Sequence, residues 1–210
     1  MLNTENIQTI PCGAYQENAY LVCPDGRDDA FLIDPGDGLS ALQTAINASG
    51  RTLSAILLTH GHFDHILAAQ PLAEHYGATV YIHENDAEML DDPEKSAYAP
   101  EVCLLPPPCG LPRTCYGETV EVCGETLHVL HTPVHSLGSV CLYDEAGGIL
   151  FTGDTLFRAG YGRTDLHGGS ERHMITSLTF LLALPGKLTA YPGHGPATTL
   201  SEERQCNPFL

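Results

Sequence analysis

Short apolar runs closed by Gly, Pro or charged residues fill the N-terminal part of the chain. Ile7 to Pro11, Asn18 to Cys23 and Ala30 to Asp34 read as strands. A helix is predicted from about Leu39 to Ala48, ending before Gly50. Leu53 to Thr59 is apolar except at Ser54 and the closing Thr59, the pattern of a buried strand. From Asp64 onward Ile66, Leu67, Ala69, Leu72 and Tyr76 recur at helical spacing, and Gly77 closes what reads as one helix. Thr79 to His83 is the next strand and Glu84 to Leu90 a short helix. Residues 92–117 lose all periodicity and hold Pro100, Pro106, Pro107, Pro108 and Pro112. Loops of this length are often lids or binding edges, and a plain surface excursion fits the same residues equally. The second half starts again with strands at about 118–123, 125–131, 138–144 and 148–152. A helix from Glu171 to Leu184, a strand from Leu188 to Tyr191 and a last helical turn near Ser201 follow. Strands followed by helices, twice over, predict an α/β fold of two packed sheets with helices outside.

Length and composition narrow this picture. The 210 residues suit one domain, taken as 1–210, and the 43% hydrophobic and 17% charged content is globular. No apolar stretch approaches the ~18 residues of a bilayer span, so no membrane association is expected. Met1 to Asn6 lacks the basic start and apolar run of a secretory signal. A formal charge of −17 repels phosphate backbones, which argues against a nucleic-acid partner. Eight cysteines without a signal segment predict a reduced, cytoplasmic protein. Cys123 and Cys141 lie in apolar runs and read as small buried hydrophobes. Cys103, Cys109 and Cys115 have no metal-site spacing. Nothing in the pattern specifies an oligomeric state.

The chemistry is concentrated in Thr59-His60-Gly61-His62-Phe63-Asp64-His65, directly after a predicted strand. Gly61 is expected to let the backbone turn tightly, so that His60 and His62 converge on one ion. Asp64 and His65 start the next helix and are aimed at a second position. Three more donors stand at the ends of predicted strands: His135 in Thr132-Pro133-Val134-His135-Ser136, Asp154 in Phe151-Thr152-Gly153-Asp154, and His194 in Pro192-Gly193-His194-Gly195. Each alone reads more readily as structural. Four strand-end sites with one chemistry read as a metal centre. One tetrahedral ion cannot easily use all seven side chains, and two ions can.

These residues resemble the metallo-β-lactamase superfamily, whose His-x-His-x-Asp-His signature the 60–65 segment matches in full. Gly153-Asp154 and Gly193-His194 match its later motifs in the same order, and the resemblance covers nearly the whole chain. Phe151 to Arg158, Gly162-Arg163-Thr164-Asp165 and Pro192 to Pro196 are most similar to the glyoxalase II (hydroxyacylglutathione hydrolase) branch, in a short bacterial form. The resemblance implies an αββα sandwich with the metals at one edge. It implies His60, His62 and His135 on one ion, and Asp64, His65 and His194 on the other. Asp154 bridges them and, with Asp64, counts as catalytic. It implies that Asp34, in Ile33-Asp34-Pro35-Gly36, supports the site from behind a ligand imidazole; a turn-forming Asp before Pro is the plainer reading. Around His135 the chain departs from the family, with Val134, Ser136 and Leu137 where Gly, Thr and Pro are general. Sixteen residues follow His194, so the helical platform that holds glutathione in longer relatives is not expected in this sequence.

Two divalent ions, zinc first and iron or manganese as alternatives, suit mixed imidazole and carboxylate donors. They would share a hydroxide formed near neutral pH, which attacks a thioester carbonyl of a small acyl-thiol such as S-lactoylglutathione. Arg158, Tyr161 and Arg163 are the candidates for meeting an anionic substrate, with an Arg163–Asp165 salt bridge as the plainer alternative. His75, His83, His128, His131, His167 and His173 are read as structural or surface residues. Competing functions are a single-iron persulfide dioxygenase, a lactamase or nuclease relative, and a non-catalytic metal-binding module. Gly193-His194-Gly195-Pro196 favours the hydrolase.

Overall fold

The computed structural model describes residues 1–209. Its first sheet holds β1 (Ile7–Cys12), β2 (Glu17–Val22), β3 (Asp29–Ile33), β4 (Thr52–Leu57), β5 (Thr79–Ile82) and β6 (Thr114–Cys115), in that order. β1 to β3 pair antiparallel and β3 to β6 parallel. The parallel pairs are linked by α1 (Leu39–Ser49), then by α2 (Phe63–Ile66) and α3 (Ala69–Tyr76). The second sheet holds β7 (Thr119–Val122), β8 (Glu125–His131), β9 (Val140–Asp144), β10 (Ile149–Gly153), β11 (Thr189–Pro192) and β12 (Thr198–Thr199), again in order. α4 (Glu171–Leu182) connects the parallel pair β10 and β11, and α5 (Leu200–Cys206) ends the chain.

Three apolar layers hold this together. Tyr20, Val22, Phe31, Ile33, Leu142 and Phe151 pack between the sheets. Their strand neighbours Leu21 and Leu32 face the opposite way, onto Leu42 and Ile46 of α1 and Leu72 of α3. Cys141 and Leu150 do the same on the other side, against Met174, Leu178 and Leu181 of α4. Both faces are covered at β3, β9 and β10, which read as near-continuous apolar runs, while β7 at the sheet edge alternates. This is the αββα sandwich expected from the sequence.

The predicted helix from Asp64 to Gly77 is instead two. The Ala68 N–H donates to the Pro35 carbonyl at 3.0 Å, outside any helix ladder. Pro71 has no N–H to continue a helix begun at 64, and it fits the first turn of one begun at Ala69. Glu84–Leu90 is a 3-10 turn. All eight cysteines are free thiols; Cys12, Cys123 and Cys141 are buried and Cys109, Cys115 and Cys206 are exposed. No described helix is long and apolar enough to cross a membrane.

Candidate metal centre

Parallel pairing decides where the donors go. β3 and β4 run together, so Asp34 and Thr59 leave the first sheet at one end; β10 and β11 bring Asp154 and His194 to the same end of the second. The sheets are stitched there. The Val140 N–H donates to Thr59 O at 2.9 Å, and the Asn18 N–H to Gly193 O at 2.7 Å.

All seven predicted donors meet at this seam. His60, His62 and His135 form one buried group whose ligand atoms lie within 4.8 Å of one another; Asp64, His65 and His194 form a second. Asp154 lies between them. Its Oδ1 is 3.4 Å from His65 Nε2, and its Oδ2 is 3.5 Å from His135 Nε2 and 3.7 Å from His194 Nε2. Asp64 Oδ2 is 3.3 Å from His194 Nε2. His60 Nε2, His62 Nε2, His65 Nε2 and Asp154 Oδ1 are buried with no hydrogen-bond partner. Unpaired polar atoms in a core carry a desolvation cost of about 1–3 kcal/mol each. Here they belong to side chains of the two donor groups and to the Asp154 between them, imidazole and carboxylate chemistry that fits divalent ions.

The other imidazole nitrogens are held from behind. His65 Nδ1 lies 3.1 Å from Asp34 Oδ2, and Asp34 also accepts from the Thr59 N–H and hydroxyl at 2.7 and 2.6 Å. His60 Nδ1 is 3.1 Å from Thr59 Oγ1. Asp34 itself has φ +47°, a conformation rare outside glycine. His135 Nδ1 meets the Arg163 carbonyl at 2.6 Å. Such contacts fix which nitrogen faces the centre.

The electrostatics follow from burial and crowding. Burial, then the neighbouring imidazoles, hold His60 and His62 far below their ordinary pKa, so both stand neutral. Burial also disfavours a charged His65, but Asp154, Asp64 and the bond to Asp34 outweigh it and lift the ring to about 9. Ligation at His65 Nε2 therefore competes with a proton. Burial resists ionisation of Asp64, and His65 and His194 overcome it and hold the carboxylate below its usual range.

Several expectations change. Gly61 is not in a left-handed turn. A side chain there would come within 2.7 Å of Met89 Cβ, so glycine serves close packing. Gly193 likewise admits no side chain, since a Cβ would lie 2.2 Å from Asp154 Oδ1. Val134 is tolerated because its side chain enters the apolar layer under α4. Of the three substrate candidates only Arg163 lines the cavity beside the donors, of about 370 Å³. Its guanidinium is bound to Asp165 at 2.7 and 2.8 Å. Arg158 is exposed and outside that cavity. Tyr161 turns away to pack on Phe209, with ring centroids 5.0 Å apart.

The cavity wall was not read from the sequence. Tyr15, Phe63, Phe157 and Leu166 supply apolar surface, and Ala97 and Ala99 make part of the 92–117 stretch a wall of the site. Tyr15 and Tyr98 both pack edge-on to Phe63. Phe63, inside the histidine motif, was the available signal. Glu17 was also missed. It is fully buried, both its oxygens lack partners, and burial raises its pKa well above the carboxylate range. It stands as a neutral acid 3.8 Å from His65 Nδ1.

A sequence profile of the Metallo-beta-lactamase superfamily matches residues 12–194, from the end of β1 to the last donor. The chain belongs to the metallo-beta-lactamase superfamily. Within this group of metallo-hydrolases, the chain is 34% identical to the hydroxyacylglutathione hydrolase GloC of Haemophilus influenzae, over 98% of both proteins. It is 41% identical to TTHA1623, solved in a di-iron-bound form, over 97% of this chain and 100% of that one, with a TM-score of 0.87. The BLEG-1 B3 metallo-beta-lactamase is 36% identical over 97% and 99% of the two chains, with a TM-score of 0.89. Relatives thus carry hydroxyacylglutathione hydrolase and lactamase names, and the fold alone does not choose between them.

Proposed function

We propose that this protein is a cytoplasmic binuclear metallo-hydrolase that cleaves small acyl-thiol thioesters, with S-lactoylglutathione as the leading substrate. The observation that carries the reading is Asp154, whose carboxylate lies between the two donor groups, Oδ2 beside both His135 and His194 and the unpaired Oδ1 beside the unpaired Nε2 of His65. Similarity to GloC supports the substrate class. The di-iron form of TTHA1623 supports two ions, with zinc, iron and manganese all suited to these donors.

When bound, the ions supply a hydroxide nucleophile at neutral pH and a Lewis acid for the developing oxyanion. Asp154 sets the separation of the two donor groups. Asp34 engages His65 Nδ1 and so turns Nε2 to the centre. Tyr15, Phe63 and Phe157 seat the acyl group and exclude water from that side. In the net reaction the carbonyl carbon gains a water oxygen and loses sulfur. The thiolate is a good leaving group, so no side-chain acid is required. Nucleic acid is not a partner in this reading, consistent with the charge of −17.

The test is to purify the protein without chelator, then measure metal content and S-lactoylglutathione hydrolysis on the same sample. Two ions per chain and turnover that chelation abolishes are expected. Turnover surviving exhaustive chelation would overturn the reading. One iron per chain with oxygen uptake on a persulfide would replace it with a dioxygenase.

A further inference from the structure

Asp86 lies in the 3-10 turn after β5 and is 1% exposed. No cation pairs with it among the described residues. Its carboxylate oxygens take three donors. Oδ2 accepts from the Gly61 N–H at 3.0 Å and the Ser136 hydroxyl at 2.5 Å, and Oδ1 accepts from the Gly138 N–H at 2.6 Å. Gly61 stands between His60 and His62, and Ser136 follows His135. The first loop leaves β4 of one sheet, and the second precedes β9 of the other. One side chain therefore ties together the two loops that carry the first donor group. The Asp64, His65 and His194 group receives no hydrogen bond from it.

We propose that Asp86 is a positioning residue for the His60–His62–His135 metal position, holding two loops from different sheets at the spacing one ion requires. His62 Nδ1 and His135 Nε2 are 2.8 Å apart across this junction, and the Val140 N–H bond to Thr59 O joins the strand ends behind it. The carboxylate suits the task because both oxygens accept and all three partners donate. An amide in its place turns a donor toward a donor, so Asp86→Asn opposes at least one of the three contacts. Supporting contacts of this kind change metal affinity by about 10–100-fold when removed.

The inference rests on the metal reading above, and the experiment separates the two. Zinc affinity is measured by chelator competition on the wild type, Asp86→Asn, Ser136→Ala and Asp144→Asn, with the visible absorption of the cobalt-loaded proteins reporting each position. Asp144 is a buried carboxylate that accepts from the Leu2 N–H, away from the donors, and serves as a stability control. In Asp86→Asn the His60–His62–His135 site is expected to weaken about 10–100-fold while the Asp64–His65–His194 site holds, and weakening of the second site alone overturns the proposal. Ser136→Ala, which keeps the carboxylate, is expected to do the same to a smaller extent. Asp144→Asn is expected to lower Tm without changing either site. Wild-type affinity at both sites in Asp86→Asn overturns the proposal. So does a loss shared equally by both sites that Asp144→Asn reproduces at a matched fall in Tm. If Asp86→Asn does not fold, Ser136→Ala decides by the same two criteria. A wild type that binds no metal would defeat the metal reading itself.

Discussion

The donor loops and the loop from Arg158 to Asp165 lie side by side but are built on different terms. Five of the seven donors are buried and the other two half-buried, and several are braced by a second polar group: Asp34 behind His65, Thr59 beside His60, the Arg163 carbonyl behind His135. In the neighbouring loop Arg158 is exposed, Tyr161 packs on Phe209, and the Arg163 guanidinium is satisfied by Asp165. The loop meets the donors through its backbone, the Arg163 carbonyl on His135 and the Gly162 N–H on the Asp154 carbonyl. Side chains that must converge on a small ion are constrained by type and by neighbours. Side chains lining a cavity mouth are constrained by neither.

Five measurements test this contrast. Asp154→Ala removes the group shared by both donor sets and is expected to lower kcat by roughly a thousand-fold or more, because several kcal/mol of Lewis-acid stabilisation depend on it. Metal analysis should show reduced occupancy, and near-normal kcat would remove Asp154 from the centre. Asp34→Asn spares every donor but leaves His65 poorly oriented, for an expected loss of about 10–100-fold in metal affinity or activity. No change on chelator titration would make Asp34 only a turn residue.

Across the boundary the effects shrink. Arg163→Ala is expected to raise KM by roughly two- to five-fold with little change in kcat, because its charge is exposed and already paired. Arg158→Ala should leave both constants unchanged. A ten-fold or larger rise for Arg158→Ala in steady-state kinetics would invert the comparison. The smallest effect concerns the thiols. Burial lifts Cys141 from 9.0 to about 12 and Cys12 from 9.0 to about 11. Folding thus disfavours both thiolates, so their stabilising contribution is complete below pH 9 and declines as pH rises through the window between 9 and 12. At pH 8 a thiol reagent should label Cys109, Cys115 and Cys206 quickly and reach Cys12 and Cys141 only on unfolding. Mass spectrometry showing rapid labelling of Cys141 would refute this.

The strands were legible because burial on both faces leaves long apolar runs, and α1 because Gly50 stops it in a left-handed conformation. The break between α2 and α3 was half legible: Pro71 was visible, but the Ala68 bond to Pro35 is a contact between distant residues. The donors could be read because imidazole and carboxylate at several strand ends have few other uses. The braces, the aromatic wall at Tyr15 and Phe157, and the buried acids Glu17 and Asp86 could not. Each is an ordinary residue until the fold surrounds it.

The two-sheet architecture and the seven side chains that gather at the seam were readable from the chain itself, since periodicity and donor chemistry are local properties, and the motifs at 60–65, 153–154 and 193–194 carried the resemblance to the superfamily. The tertiary structure decided that Arg163 reaches His135 by its backbone, that Tyr161 faces away from the cavity, and that Gly61 is required by packing. These outcomes depend on which segments meet across the seam between the sheets. A residue's partners there come from far along the chain, and no local pattern records them.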